Sequence, residues 1–148
     1  MGEKFKGRAI LSGSLKGEAL VSKQAFNLTG SYMENMFAGR TDSAPCTDSS
    51  NKELVGKNLA GAIICTSQTV GSTFGSAAVM GMNAIGIGPK AYLFAWHIDS
   101  ISAGGLIMDD IWNGRRVITI DLLGDEFLEK VQMGDPITIY EDGTVEVG

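Results

Sequence analysis

Cysteine and histidine are scarce in this sequence, and their scarcity excludes several kinds of site. The 148 residues contain two cysteines, Cys46 and Cys65, and one histidine, His97. The cysteines form no CxxC pair and have no histidine at metal-ligand spacing, so we expect neither a zinc site nor an iron–sulfur cluster held by this chain alone. A disulfide between them is not expected in a reducing compartment.

Long hydrophobic runs are also missing. The longest apolar stretches, at 59–65 and 77–88, are interrupted by glycine and fall far short of the roughly 20 residues that span a bilayer. No apolar segment follows the charged residues at 1–8, so we expect no secretory signal. The sequence therefore predicts a protein of the cytoplasm.

An excess of positive charge is absent too. Seventeen acidic residues against twelve basic ones give a net charge of −5, which argues against nucleic-acid binding by phosphate neutralisation. The length and the 44% apolar fraction favour a single packed domain over residues 1–148. Twenty glycines without a fixed period indicate short elements joined by many tight turns.

Short β-branched and apolar segments alternate with segments that carry helix-capping signals. Strands are predicted at 4–10, 18–22, 59–66, 90–96, 115–121, 136–140 and 144–147, and helices at 72–83, 99–112 and 125–131. The first two strands are expected to pair with each other. The pattern predicts an α/β (mixed α+β) fold, in which parallel strands carry crossover helices and hairpins close the sheet toward a barrel.

The segment at about 31–57 lacks apolar periodicity. It is polar and contains Pro45 and Cys46, so we expect a long surface loop in which the cysteine is exposed. Such loops are often functional, although a solvated insertion without a role explains the same composition.

The segment SQTVGSTFGS at 67–76 has the richest chemistry. It contains two glycines and five hydroxyl groups, and it lies where a predicted buried strand leads into a predicted helix. Backbone N–H groups and the dipole at a helix start attract carboxylates and phosphates, and they also favour the ionised form of a serine hydroxyl. Ser72 is the residue best placed to use this environment.

A purely structural interpretation explains the same residues. Ser72 or Thr73 would then cap the helix, and Gly71 and Gly75 would permit close packing. The segment has neither the GxxxxGK[ST] pattern of a Walker loop nor the GxGxxG pattern of a Rossmann fingerprint. Nucleotide binding is therefore poorly supported.

Two other candidate sites, His97 and the pair Asp109 and Asp110, are better explained without a catalytic or metal-binding role. His97 lies between a predicted strand and a predicted helix, where a general base can sit, but without a Ser-His-Asp order we expect a structural or exposed histidine. Asp109 and Asp110 are adjacent on a predicted helix and point about 100° apart, so we expect a solvated face rather than a metal site.

Taken in order, four segments resemble one family. They are KGRAI with GEALVS, then LVGKNLAGAIIC, then GSTFGS, and finally GDPITIYEDGTVEV. Together they look like the small subunit of aconitase X enzymes, which corresponds to the swivelling β/β/α domain of the aconitase superfamily. Its most specific motif, a Gly-Ser-Ser or Gly-Ser-Thr at a helix start, is matched here by Gly71, Ser72 and Thr73.

The resemblance implies a hydro-lyase subunit that is active only in a heterodimer with a large subunit. Ser72 would be the catalytic base, and the amides of Gly71, Ser72 and Thr73 would bind a substrate carboxylate. The large subunit would hold an iron–sulfur cluster as a Lewis acid on the departing hydroxyl, and this chain would bind no metal or other cofactor. Ligation of that cluster by Cys46 is not expected.

Two substrates of such enzymes are candidates: cis-3-hydroxy-L-proline and mevalonate 5-phosphate. The seven methionines and the modest charged fraction are more typical of a mesophile, which favours the amino-acid substrate. A function of another class also remains open, namely a non-catalytic, mobile or regulatory module that uses the same helix start to bind an anion or a partner.

Overall fold

A computed structural model describes residues 2–71 and 73–148 of the chain. Within these residues the elements are, in chain order, β1 Glu3–Lys6, β2 Arg8–Leu11, β3 Leu15–Val21, β4 Phe26–Asn27, α1 Leu28–Phe37, β5 Ile63–Thr66, β6 Thr69–Val70, α2 Gly75–Ala84, β7 Ala91–Phe94, α3 Ser100–Asn113, β8 Ile118–Asp121, α4 Asp125–Lys130, β9 Pro136–Ile139 and β10 Thr144–Val147. None of these helices has the length and apolar character needed to cross a membrane.

Eight strands form one sheet in the order β1-β10-β9-β3-β5-β7-β8-β2, and β4 pairs with β6 in a small second sheet. β3, β5, β7 and β8 run parallel to one another, while the pairs toward both edges are antiparallel. The two edge strands, β1 and β2, are consecutive in the chain, so the sheet curls into an almost closed barrel. The predicted mixed α/β class with a barrel-like sheet is confirmed.

A single glycine carries the chain from one edge of the sheet to the other. A Cβ at Gly7 would lie 2.6 Å from the carbonyl oxygen of Asp121, so the crossing admits no side chain. The strand predicted at 4–10 is therefore two strands with different partners. The strand predicted at 4–10 was expected to pair with the one predicted at 18–22, which corresponds to β3. This pairing is wrong, because β3 pairs with β9 and β5 instead.

The apolar residues divide into two cores, one on each face of the parallel strands. In β7, Ala91 and Leu93 face the barrel interior, whereas Tyr92 and Phe94 face the layer formed by α1, α2 and α3. Phe127 of α4 packs edge-on against Phe5 inside the barrel. Because β5 and β7 are covered on both sides, their sequences are continuously apolar, as predicted for central strands.

Helix α1 corrects the first part of the predicted loop at 31–57. Asn27 caps the helix by accepting a hydrogen bond from the backbone N–H of Gly30 at 3.0 Å. The buried face of α1 includes Ser31 and Asn35 as well as apolar residues, which is why its periodicity is weak in the sequence. The side-chain amide of Asn35 donates to the carbonyl oxygen of Pro45 at 2.8 Å, so this polar face holds the following segment.

The rest of that segment contains no regular helix or strand, but it is not a solvated loop around its cysteine. Cys46 is only 3% exposed and belongs to the core under the helices. Its N–H donates to the carbonyl oxygen of Lys57, and its carbonyl oxygen accepts from the N–H of Gly56. The expectation of an exposed Cys46 is wrong because the segment folds back on itself and onto α1.

Helix α3 follows its sequence signals closely. Asp99 caps its start by accepting from the N–H of Ser102 at 2.9 Å. Gly114 ends it in the left-handed conformation with φ of +67°. Helix α4 and the hairpin of β9 and β10 also lie where the sequence predicts them.

Helices α2 and α3 touch at a glycine. A Cβ at Gly105 would lie 2.8 Å from both the Cα and the carbonyl oxygen of Ser76, which are backbone atoms that cannot rotate away. The hydroxyl of Ser76 donates to the carbonyl oxygen of Ile101 at 2.6 Å, which adds a polar tie at the same contact. The spacing of the two helices, and therefore of their starts, depends on this absence of a side chain.

Replacing adjacent glycines of α3 by alanine tests this close approach. We expect Gly105→Ala to lower the free energy of unfolding by about 1–3 kcal/mol, because α2 must move away. The matched control is Gly104→Ala, whose Cβ would meet no atom within 4 Å. We expect this control to raise the free energy of unfolding by about 0.5–1 kcal/mol, because alanine is the better helix former. Chemical denaturation measures both changes, and equal effects would contradict the prediction.

Candidate functional site

The starts of three helices surround one small cavity. Its volume is about 170 Å³, and the residues that line it are Leu28, Thr29, Thr69, Val70, Gly71, Gly75, Asp99, Ile101 and Ser102. They come from the first residues of α1 and α2, from the end of β6 and from the start of α3. Helices α2 and α3 follow the parallel strands β5 and β7, so the cavity lies beyond the carboxyl ends of these strands, where α/β sheets bind ligands.

The residues at the N-cap positions of the three helices differ in chemistry. Asn27 caps α1 and Asp99 caps α3, each with its own side-chain oxygen. The N-cap position of α2 is Phe74, and a phenylalanine side chain has no hydrogen-bonding atom with which to cap. The prediction that the helix spans 72–83 and opens at Ser72 or Thr73 is corrected, because the helix begins at Gly75.

Of the predicted site residues that the structure describes, Gly71 and Thr73, one lines this cavity. Gly71 lines it, with φ of +124°, a conformation that residues with a side chain rarely adopt. A Cβ on Gly71 would lie 2.8 Å from Oδ1 of Asn27, the atom that caps α1. Thr73 is exposed and does not belong to the lining. Ser72, the predicted catalytic base, lies outside the described residues.

A polar network inside the cavity was not predicted as part of the site. The hydroxyl of Thr69 donates a hydrogen bond to Oδ1 of Asp99 and lies 3.0 Å from the hydroxyl of Ser102. Oδ2 of the same carboxylate accepts from the N–H of Ser102. From the sequence, Asp99 or Ser100 is a candidate cap for the helix predicted at 99–112, and nothing there indicates that Asp99 lies close to Thr69.

A second carboxylate binds the chain segment that leads to Asp99, although it does not line the cavity. Asp121, at the end of β8, is fully buried and binds Arg8 through two hydrogen bonds of 2.9 and 2.7 Å. The hydrogen bond and the charge of Asp121 raise the pKa of Arg8 above its usual value. The same carboxylate accepts from the backbone N–H of Ile98 at 2.8 Å, one residue before Asp99.

His97 lies near these residues without joining them. It is exposed, does not line the cavity, and its Nδ1 lies 3.2 Å from the carbonyl oxygen of Ile98. This placement agrees with the expectation of an exposed histidine.

The pair of aspartates on α3 is not a solvated face. Asp109 is fully buried and binds Asn83, Asn113 and Arg115, with a distance of 2.9 Å from its Oδ1 to Nη2 of the arginine. Asp110 makes a similar bidentate pair with Arg116 nearer the surface. The expectation of a solvated face is wrong for Asp109, because α2 and the segment after α3 cover it.

Within the described residues, no group of three or more histidine, cysteine, aspartate or glutamate side chains is placed to hold a metal ion. The two cysteines lie in different cores, Cys46 under the helices and Cys65 inside the barrel, with the sheet between them. Burial raises the pKa of the Cys65 thiol well above its usual value, so this sulfur is a poor ligand. These side chains do not fit an iron–sulfur cluster.

The sequence of this chain matches a known protein family. The family model described as the aconitase X swivel domain matches residues 4–147. The chain belongs to this family. The predicted family is thus confirmed, and with it the predicted class of enzyme, a dehydratase subunit.

Several relatives of this aconitase X swivel domain match it over nearly its whole length. The phosphomevalonate dehydratase small subunit of Archaeoglobus fulgidus is 30% identical, over 97% of this chain and 98% of its own. The crystal structure of holo aconitase X from Thermococcus kodakaraensis aligns with a TM-score of 0.80 and 26% identity over 99% of both chains. The solution NMR structure of a UPF0107 protein aligns with a TM-score of 0.76 and 27% identity over 99% of both chains.

The conformation of Gly71 gives a first test of the site. We expect Gly71→Ala to lower the free energy of unfolding by about 2–3 kcal/mol, because a Cβ there is strained and displaces the side chain of Asn27. Gly56→Ala is the control: it also has positive φ, +80°, but its Cβ would meet nothing within 4 Å. We expect a loss of about 1 kcal/mol from the control, measured by denaturant unfolding. Equal losses would show that the contact with Asn27 is unimportant.

The buried pair of Asp109 predicts a dependence of stability on pH. Burial raises the pKa of this carboxyl, but hydrogen bonds from Asn83, Arg115 and Asn113 outweigh it and hold the pKa below its usual value. The stabilisation is therefore present near pH 7 and is lost as pH falls below about 4. We expect Asp109→Asn to lower the free energy of unfolding by about 1–3 kcal/mol at pH 7 and by much less near pH 2 to 3. A difference that does not change with pH would contradict this assignment.

Proposed function

We propose that this chain is the small subunit of a phosphomevalonate dehydratase, which removes water from mevalonate 5-phosphate. The observation that carries the proposal is the end-to-end match to the Archaeoglobus fulgidus subunit of that name. This relative favours mevalonate 5-phosphate over cis-3-hydroxy-L-proline, the substrate that the composition favoured. A preference drawn from a few methionines is weaker than similarity along the whole chain.

The proposal includes a large subunit that completes the site. The cavity of about 170 Å³ is smaller than the roughly 300 Å³ at which ligand pockets begin, so it accommodates only part of a substrate. Two exposed apolar side chains belong to the same segment: Val70, which lines the cavity, is 43% exposed, and Phe74, which precedes the lining residue Gly75, is 48% exposed. Exposed apolar residues around a functional site are typical of a surface that another subunit covers.

We place the catalytic base at Ser72. Gly71 before it lines the cavity, and α2 begins three residues after it, so the sequence itself keeps Ser72 close to both. In the reaction, the ionised hydroxyl would take a proton from the carbon next to the substrate carboxylate. The electron pair left on carbon would form the double bond as the hydroxyl leaves the neighbouring carbon, and the two fragments together amount to one water.

The start of α2 supplies the electrostatic part of this proposal. Helix N-termini carry roughly half a positive charge and present outward-pointing N–H groups, which suit a carboxylate. Helix α2 begins at Gly75, and both Gly71 and Gly75 line the cavity. We therefore expect the substrate carboxylate at Gly71, Ser72 and Thr73, beside the start of α2.

The iron–sulfur cluster that the resemblance implies belongs, in this proposal, to the large subunit. This assignment is supported by the described residues of this chain, which include no group of three or more histidine, cysteine, aspartate or glutamate side chains placed to hold a metal ion. When bound to the partner, the cluster would supply Lewis-acid chemistry to the departing hydroxyl. This chain contributes the base and part of the substrate pocket.

Substitution of the serine tests the proposal. We expect Ser72→Ala to lower kcat by roughly 10²–10⁴-fold, the usual contribution of a general base, while assembly with the large subunit is retained. The control is Ser100→Ala, which removes an exposed hydroxyl at the start of α3 that does not line the cavity. The measurement is dehydration of mevalonate 5-phosphate by the co-expressed complex, purified without oxygen.

Each outcome of this experiment has a separate meaning. Turnover of mevalonate 5-phosphate that is lost in Ser72→Ala supports both the substrate and the base. Turnover of cis-3-hydroxy-L-proline instead would contradict the substrate, and normal turnover by Ser72→Ala would contradict the base. Failure to form any complex with the large subunit would favour a non-catalytic, anion-binding or regulatory module.

A further inference from the structure

The buried carboxylate of Asp121 holds together two connections at the carboxyl edge of the sheet. It accepts two hydrogen bonds from Arg8 and one from the backbone N–H of Ile98. Ile98 belongs to the connection between β7 and α3, and Asp121 ends β8. A buried charge with three directional hydrogen bonds fixes the position of this connection more tightly than apolar packing would.

The residue after Asp121 carries backbone strain at the same place. Leu122 has φ of +58°, and it is the one non-glycine among the described residues with positive φ. In this conformation its N–H donates to the carbonyl oxygen of Trp96 at 3.1 Å. Residues 121 and 122 therefore bind the connection between β7 and α3 at two positions, Ile98 and Trp96. A leucine in this conformation is unfavourable on its own and persists only where the surroundings enforce it.

The connection that Asp121 holds leads directly into the cavity. Asp99 follows Ile98, and its carboxylate binds the hydroxyl of Thr69 and the N–H of Ser102. Thr69 in turn lies two residues before Gly71 in the chain. A displacement of the peptide between Ile98 and Asp99 would thus move the cavity wall from which the chain continues to Gly71.

We propose that Asp121 is a positioning residue for the reaction: through Ile98 and Asp99 it fixes the wall of the cavity from which the chain leads to Gly71 and Ser72. Asp121 itself does not line the cavity, so it does not touch substrate there. The inference rests on the proposed dehydratase site for its kinetic consequence. Its structural consequence, an ordered connection between β7 and α3, is independent of the substrate.

The chain offers a matched control for this proposal in Asp109. Both aspartates are fully buried, and each pairs with a partly exposed arginine, Arg8 or Arg115. Asp109 lies ten residues beyond Asp99 on α3, which corresponds to about 15 Å along the helix axis. It shares the chemistry of Asp121 but not its position next to the cavity.

The experiment compares Asp121→Asn with Asp109→Asn in the complex with the large subunit. Both variants keep the side-chain volume and remove the charge. We expect Asp121→Asn to lower kcat by about tenfold or more with KM changed by less than about threefold, because displaced groups reduce catalysis more than binding. Asp109→Asn should change kcat by less than about twofold, although it destabilises the fold through the same loss of a buried pair.

A second readout does not depend on turnover. Amide hydrogen exchange of the intact complex, followed in peptides that cover residues 95–102, should become about tenfold faster in Asp121→Asn and stay unchanged in Asp109→Asn. If the wild-type complex does not dehydrate mevalonate 5-phosphate, the proposed function fails while the exchange result still tests Asp121. Equal kcat losses in the two variants, or unchanged exchange in Asp121→Asn, would overturn the proposal.

A second variant covers the case in which Asp121→Asn does not assemble. Thr69→Val keeps the shape of the side chain and removes the hydroxyl that Asp99 accepts from. If Asp99 transmits the position of the connection to the cavity wall, this variant should lower kcat by about tenfold with assembly intact. If Thr69→Val assembles and retains the wild-type kcat, the hydrogen bond between Thr69 and Asp99 does not position the cavity wall for the reaction. That result would overturn the proposal.

Discussion

The parallel pairing of β3, β5, β7 and β8 is the constraint on which the rest of the molecule depends. Parallel strands align their carboxyl ends at one edge and cannot be joined by tight hairpins, so the chain must cross back over the sheet between them. Helices α2 and α3 make such crossings, and both therefore begin at that edge. The cavity exists because the starts of these helices, together with that of α1, meet there.

The division of the apolar residues into two cores follows from the same constraint. Alternate residues of β5 and β7 must fill the barrel on one side and support the helices on the other. The barrel is closed by a crossing at Gly7 that leaves no room for a side chain, and α2 approaches α3 at Gly105 in the same way. Two glycines thus set the spacing of elements on opposite faces of one sheet.

Much of this arrangement could be predicted from local sequence signals, and the misses have physical causes. Helix α3 was placed within a residue because Asp99 and Gly114 act on the backbone next to them. Helix α1 was missed because Ser31 and Asn35 lie on its buried face, where the side chain of Asn35 bonds to the segment that follows the helix. Helix prediction from periodicity requires apolar residues at the buried positions, and these two residues are polar.

Long-range contacts could not be predicted at all. Asp99, Asp109 and Asp121 look alike in the sequence, yet one lines the cavity, one is buried between α2 and the segment after α3, and one ties Arg8 to Ile98. Cys46 was expected in solvent because its neighbours are polar, but the segment folds back to bury it. Each aspartate has a partner more than 20 positions away, and Cys46 bonds to a segment ten or eleven positions further along the chain. No local pattern encodes such contacts.

The electrostatics of the cavity explain why this subunit would need a partner. Among the described residues that line it, none is lysine or arginine and one, Asp99, is acidic. The positive end of a helix stabilises a nearby anion by at most about 2 kcal/mol, which corresponds to roughly 1.5 pKa units. That is too little to ionise an ordinary alcohol near neutral pH or to hold a substrate that bears both a carboxylate and a phosphate. In the proposed dehydratase the remaining positive charge would come from the surface that covers the cavity, so the active site would be complete only at the boundary between two subunits.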